Sequence, residues 1–153
     1  MAPGDSPEEH LPEYDFDPAK LSLRVRVTLA AHRGSVDPVV EQVMGFVRQI
    51  KCAIGKEDAI ELSLQEALAN AVVHGAKEDS SKVVECLVYC DEERGMLIIV
   101  RDPGEGFDPA AIPTCTVGEN LYSDHGRGIF LINQLMDEVK FHKNGTEIHM
   151  VKR

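Results

Sequence analysis

Residues 21–29 alternate strictly between apolar and polar side chains. Of the features in the sequence, this alternation places the strongest constraint on the fold. Side chains on a β-strand point alternately to opposite faces, so a period of two predicts a strand with one buried face. That face would carry Leu21, Leu23, Val25, Val27 and Leu29. A strand of this kind needs a second layer packed against it.

Two stretches with the apolar spacing of helices follow this strand. Apolar residues recur every three or four positions over residues 36–54, and again from residue 57 or 58 to His74. Such spacing gathers them on one face of an amphipathic helix. Gly55 and Gly75 stand where glycine commonly ends a helix.

The second half of the chain completes the predicted sheet. Strands are expected at residues 82–90, 96–101, 138–142 and 147–151, with a helix at residues 129–136. Residues 107–124 have little periodicity and are expected to form a functional loop or lid. This order predicts an α+β two-layer sandwich, with a mixed, mostly antiparallel sheet and helices on one face.

Residues 1–20 differ in composition from the rest of the chain. Residues 1–18 contain four of the eight prolines and six acidic residues, without an apolar period. We expect a disordered, acidic, proline-rich arm over residues 1–20 and one folded domain over residues 21–153.

Bulk composition excludes several classes of partner. Lys and Arg number 16 against 26 Asp and Glu, and a net charge of −10 has the wrong sign for tracking nucleic acid. No apolar run approaches the roughly 20 residues that span a bilayer, so no membrane partner is expected. The cysteines form no C-x-x-C pair, and we expect reduced thiols in a cytoplasmic protein. They are Cys52, Cys86, Cys90 and Cys115.

The second predicted helix carries a polar stripe. Glu66, Asn70 and His74 recur every four residues and would project from one face. Asn is a weak helix former, but its amide oxygen suits magnesium, and a carboxylate one turn away can act as a base. A solvated polar face with an incidental Asn is the equally weighted alternative.

A glycine-rich turn follows the apolar strand at residues 96–101. It comprises Asp102-Pro103-Gly104-Glu105-Gly106. A carboxylate at a strand end can accept from an exocyclic amine, and glycines let the backbone approach a flat ring. An ordinary turn is the alternative, because Asp, Pro and Gly also form turns.

A second glycine-rich turn, Gly126-Arg127-Gly128, leads into the last predicted helix. Free N–H groups at a helix start, aided by the helix dipole, bind phosphate. One such turn is common. All three motifs in this order are much harder to obtain by chance.

Together, these motifs resemble those of the GHKL ATPase superfamily, named for gyrase, the heat-shock chaperone, histidine kinases and the mismatch-repair protein. The resemblance spans residues 21–153 and implies a histidine kinase-like ATP-binding domain. Within the superfamily, the chain most resembles the anti-sigma-factor serine/threonine kinases of bacterial partner-switching systems. This resemblance rests on the sequence motif at residues 66–75, the small size of the chain and Gly145-Thr146.

This resemblance implies roles for individual residues. Glu66 would be the general base, Asn70 the magnesium ligand, and Arg127 the cation that offsets charge during transfer from ATP. Asp102 would contact the adenine. Nucleotide contacts would also come from His74, Gly104, Gly106, Gly126, Gly128 and Thr146. A helix-capping role is weighed slightly above nucleotide contact for His74.

The expected function is therefore an ATP-dependent kinase that phosphorylates an anti-sigma-factor antagonist and sequesters a sigma factor, as a homodimer. Kinases of this group tend to have a partner-contacting Arg near the start of the first helix, where this chain has Val39-Val40-Glu41-Gln42. A nucleotide-gated anti-sigma or adaptor module therefore stays an alternative. A detached ATPase domain of a histidine kinase is a third.

Overall fold

In the part of the chain that the structure describes, one antiparallel sheet and three α-helices form the core. The structure, a computed structural model, describes residues 7–104 and 124–153. The strands are β1 (Leu23–Ala30), β2 (Val83–Asp91), β3 (Gly95–Arg101), β4 (Glu138–His142) and β5 (Glu147–Lys152). The helices are α1 (Val36–Val47), α2 (Glu57–Asn70) and α3 (Asp124–Leu135). The sheet order is β1-β2-β3-β5-β4, and each described pair is antiparallel.

The helices cover one face of the sheet, which confirms the predicted α+β two-layer architecture. Met44 of α1, Leu64 and Leu68 of α2, and Ile98 of β3 are fully buried in the shared core. Leu23, Val25, Val27 and Leu29 contribute to this core as the alternation of β1 predicts. Leu21 precedes the strand and packs on the opposite face. In the described ranges, no helix is long and apolar enough to cross a membrane.

Two helix boundaries differ from the prediction. Helix α1 ends at Val47, and a separate 3-10 turn follows at Lys51–Ala53. Cys52 and Ala53 are buried in that turn, so the apolar spacing continues after the helix has ended. Helix α3 begins at Asp124, five positions before the predicted start at Ile129, although glycines at the start weaken its helical pattern.

Residues 7–20 lie against the outer face of the sheet, so the expectation of a disordered arm is wrong for them. They form a 3-10 helix at Pro7–Tyr14 and a 3-10 turn at Pro18–Lys20. Leu11, Tyr14 and Phe16 are at most 2% exposed. We call the apolar group that they form with the sheet the outer cluster; its sheet members are Leu87, Tyr89, Leu97, Ile99 and Val151. Burial of these side chains offsets the entropy lost in ordering the arm.

The cysteines also depart from expectation. Cys52 and Cys90 form a disulfide across a Cα–Cα separation of 6.6 Å, joining the turn after α1 to β2. Cys86 and Cys90 share the inner sheet face, as the strand alternation predicts. Burial raises the pKa of the Cys86 thiol to about 12, so this cysteine is an inert part of the core.

Candidate functional site

The polar stripe of α2 faces the N-terminal part of α3. After Asn70 the helix continues as a π-helical segment, Ala71–Gly75, a form that is frequent at functional sites. Gly128 of α3 lies directly over the stripe: a Cβ at Gly128 would be 2.8 Å from Glu66 Oε2 and 3.3 Å from Asn70 Nδ2. The first and third sequence motifs therefore meet in space.

Asp102, at the end of β3, is fixed by three backbone contacts. Its N–H donates to the carbonyl of Thr146 at 2.8 Å, and its Oδ1 accepts from the N–H of Gly104 at 2.8 Å. A Cβ at Gly75 would overlap the Asp102 carboxyl group. Burial raises the pKa of Asp102, and the Gly104 N–H partly opposes this.

Gly75 and Gly104 are in close backbone contact. A Cβ at Gly104 would overlap the Gly75 carbonyl. Only glycine at position 104 therefore lets the turn after β3 approach the π-helical segment that follows α2. The sequence places Gly75 where glycine commonly ends a helix. It does not have a positive φ, and its function in the fold is to leave space for Asp102.

A cavity of about 180 Å³ lies between α2, α3 and the sheet. Four predicted residues line it: Asn70, His74, Asp102 and Thr146. The other lining side chains are largely apolar and include Val100, Ile129, Phe141 and Ile148. An apolar cleft with one carboxylate suits a flat heterocycle that carries an amine.

A second cavity, of about 350 Å³, adjoins the first and shares Asn70 and His74 with it. Glu66, Arg127 and Gly128 line it, so that both predicted catalytic residues face one space. Its carboxylate, amide and guanidinium groups suit phosphates and a hard cation, in contrast to the apolar first cavity.

Sequence reasoning missed several lining residues. Arg33 lies in the turn before α1, lines the second cavity and pairs with Glu78 at 2.6 Å. It is a basic residue near the start of the first helix, just outside the stretch in which one was expected. Phe141 and Ile148 carried only an apolar strand pattern, and only the order of β3, β5 and β4 brings them to the cavity.

The structure differs from the prediction at Gly126 and does not describe Gly106. Gly126 belongs to α3, inside the helix and not before it. Gly106 lies outside the described residues, as does nearly all of the predicted lid at residues 107–124.

The sequence profile of the histidine kinase-like ATPase domain matches residues 29–152. The chain belongs to the histidine kinase-like ATPase family. This confirms the resemblance drawn from the three motifs and shows a nucleotide-binding domain. The match begins at residue 29, after the arm and most of β1.

Within this family, the chain is similar to bacterial anti-sigma F factors. That of Clostridium acetobutylicum is 28% identical over 134 residues, or 84% of this chain and 82% of the relative. Those of Bacillus thuringiensis and Bacillus anthracis are each 32% identical over 133 residues, or 83% of this chain and 80% of each relative. The similarity thus covers most of both chains.

Proposed function

We propose that this protein is an ATP-dependent serine/threonine kinase of the anti-sigma type. It phosphorylates an anti-sigma-factor antagonist, sequesters a sigma factor and acts as a homodimer. The name of its relatives, anti-sigma F factor, supports the sigma-factor part of this proposal. The observation that carries the kinase proposal is that Glu66 lies beside Asn70 and Arg127 in a polar cavity next to an apolar one. A site that only bound nucleotide would not need a carboxylate there.

The two cavities suggest the orientation of the nucleotide. Adenine would occupy the apolar cavity, with its amine donating to Asp102, while Thr146 and His74 border the ring. The phosphates would extend past Asn70 into the polar cavity, toward Arg127 and the start of α3. Gly104, Gly106, Gly126 and Gly128 would allow close backbone approach.

The residues of the polar cavity suit phosphoryl transfer. The oxygen of the substrate hydroxyl would attack the γ-phosphorus of ATP while Glu66 accepts the hydroxyl proton, and ADP would leave. The Asn70 amide oxygen suits magnesium, which would supply charge neutralisation at the phosphates when bound. Arg127 would stabilise charge on the transferred group. Arg33, beside Glu66, is our candidate for contact with the partner protein.

The proposal is tested by separating catalysis from binding in the Glu66→Gln variant. We expect transfer from ATP to the antagonist protein to fall by about 100-fold or more, because general-base catalysis contributes roughly 10²–10⁴-fold. The affinity for ADP should not change. Glu61→Gln on the same helix is the matched control, since Glu61 pairs with Arg48 at the surface. It should retain full activity.

Other outcomes would point to the alternatives. A wild-type protein that binds ATP and changes its affinity for the antagonist, but transfers no phosphate, would be a nucleotide-gated adaptor. A phosphoprotein product that is labile in acid would indicate phosphohistidine and a detached histidine kinase domain. Acid-stable phosphoserine or phosphothreonine would support the proposed kinase.

A further inference from the structure

Three histidines and a glutamate converge on the sheet face opposite the nucleotide cavity. His10 and Glu13 come from the arm, His142 from β4 and His149 from β5, and one donor atom of each lies within 4.8 Å of the others. His142 Nε2 is 3.5 Å from Glu13 Oε1, and His10 Nδ1 is 3.6 Å from Glu13 Oε2. The arm pair and the hairpin pair are far apart in sequence, and the packing of the arm on the sheet brings them together.

Strand alternation separates this cluster from the proposed nucleotide site. Phe141 and Ile148 line the nucleotide cavity, whereas their chain neighbours His142 and His149 point to the outer face. The two groups of residues therefore lie back to back on the β4–β5 hairpin.

His149 is held in the manner of a metal-binding histidine. It is fully buried, and its Nε2 is 2.6 Å from Glu147 Oε1. Glu147 in turn accepts from Arg101 Nε at 2.8 Å. The Glu147 carboxylate thus lies between the His149 ring and the Arg101 guanidinium.

The carboxylate fixes the protonation pattern of the ring. With the Arg101-paired carboxylate of Glu147 as its acceptor, Nε2 of His149 carries the proton, and Nδ1 has a lone pair. A ligating histidine almost always donates its other nitrogen in this way, to a carboxylate or a carbonyl. Here the Nδ1 lone pair accepts from the Tyr14 hydroxyl at 2.7 Å.

Tyr14 also lies 3.5 Å from His142 Nε2, so its hydroxyl lies between two candidate ligands. Binding of an ion at His149 Nδ1 would require the Tyr14 side chain to move, because the phenol oxygen occupies the lone-pair direction of that nitrogen. Lys140, 3.6 Å from Glu13 Oε1, is 43% exposed and can move into solvent.

The three imidazole rings are in close contact. The His142 and His149 rings stack with centroids 3.9 Å apart, and the centroid of His10 is 4.5 Å from that of His149. Three imidazole rings and one carboxylate provide a set of donors for one cation. Imidazole nitrogens favour zinc and related ions over magnesium or calcium.

We propose that His10, Glu13, His142 and His149 bind one divalent transition metal ion of the zinc type. Donors in a tetrahedral zinc site lie about 3.3 Å apart, so the cluster must contract slightly. The arm supplies two of the four ligands, which allows this movement. The ion would therefore fasten the arm to the β4–β5 hairpin. The site involves none of the residues assigned to the kinase reaction.

The test is metal titration of the full chain, with Zn²⁺ in calorimetry and Co²⁺ in absorption spectroscopy. We expect one ion per chain, a d–d absorption typical of four-coordinate Co²⁺ and a higher melting temperature. His10→Ala and His142→Ala should each lower the Zn²⁺ affinity by more than 100-fold. Glu147→Gln, which removes the carboxylate that contacts both His149 and His10, should lower it by roughly 10- to 100-fold.

His32→Ala is the matched control, because His32 is exposed in the turn before α1, away from the cluster. It should bind the ion as the wild type does. Hydrogen exchange over residues 8–16 should slow with Zn²⁺ in the wild type but not in His142→Ala. Absence of binding, unchanged affinity in both ligand variants, or a thiolate-to-Co²⁺ charge-transfer band would overturn the proposal. Circular dichroism shows whether each variant is folded.

Discussion

At the scale of single residues, glycine is required around Asp102 because there is no room for a Cβ, and not because the backbone dihedral angles are unusual. Gly75 and Gly104 touch each other and Asp102, and neither has a positive φ. From the sequence, Gly104 was expected to let the backbone approach a flat ring, and Gly75 to end a helix. In the structure these two glycines also let two backbone segments close around the carboxyl group that follows β3.

Gly75→Ala is therefore expected to weaken nucleotide binding. The added Cβ would displace the Asp102 carboxyl group, and overpacking of this kind costs about 1–3 kcal/mol. We expect ADP affinity, measured by calorimetry, to fall roughly tenfold or more.

Gly45→Ala is the control for this prediction, because a Cβ at Gly45 in α1 would meet nothing within 4 Å. It should leave ADP affinity unchanged and stabilise the fold by about 0.5–1 kcal/mol. Equal ADP affinity in Gly75→Ala and Gly45→Ala would contradict the steric explanation.

The sequence identified the polar residues of the candidate site better than its apolar ones. Asn70, His74, Asp102 and Thr146, all four named from the sequence as candidate nucleotide contacts, border one cavity. For each of these residues, either its own type or a neighbouring glycine is unusual for the helix or strand in or beside which it lies. Phe141 has no such mark, since an apolar residue on a strand is ordinary until the strand order is known.

At the scale of elements, β3 shows why the arm is ordered. Residues 96–100 are continuously apolar, and all of β3 from Gly95 to Val100 is buried. Such a run is typical of a strand covered on both faces. The helices cover one face, so a second cover was already implied by the sequence. The acidic, proline-rich composition of residues 1–20 concealed it, because three apolar side chains are enough to fill the space.

Leu11→Ala tests how firmly the arm is attached. Leu11 is fully buried on the outer face, and removing a buried leucine side chain costs about 2–5 kcal/mol. We expect the free energy of unfolding in urea to fall within this range. Leu62→Ala on α2 is the control, because Leu62 is 38% exposed, and its effect should be small. A neutral effect of Leu11→Ala would show that the arm contributes little to stability.

At the scale of the whole molecule, the sheet separates two layers with different contents. The helices and the nucleotide cavity lie on one face, and the outer cluster lies on the other. Strands β2 and β3 contribute residues to both layers through their alternating side chains. Loss of either layer would expose apolar sheet residues, so the described parts of the chain should unfold as one unit.

Two optical probes can test this cooperativity, because Tyr14 and Tyr89 both belong to the outer cluster and the chain has no Trp. In a Tyr122→Phe background, tyrosine fluorescence would report on the outer face, while far-ultraviolet circular dichroism would report mainly on the helices. ADP at 100 times its dissociation constant should add about 2.7 kcal/mol to the free energy of unfolding. Because the sheet couples the layers, both transitions should shift together by this amount. Asp102→Asn should show no shift in either probe. If only the dichroism transition moved, the arm would be an independent unit, docked on the sheet but not stabilised by nucleotide binding on the other side.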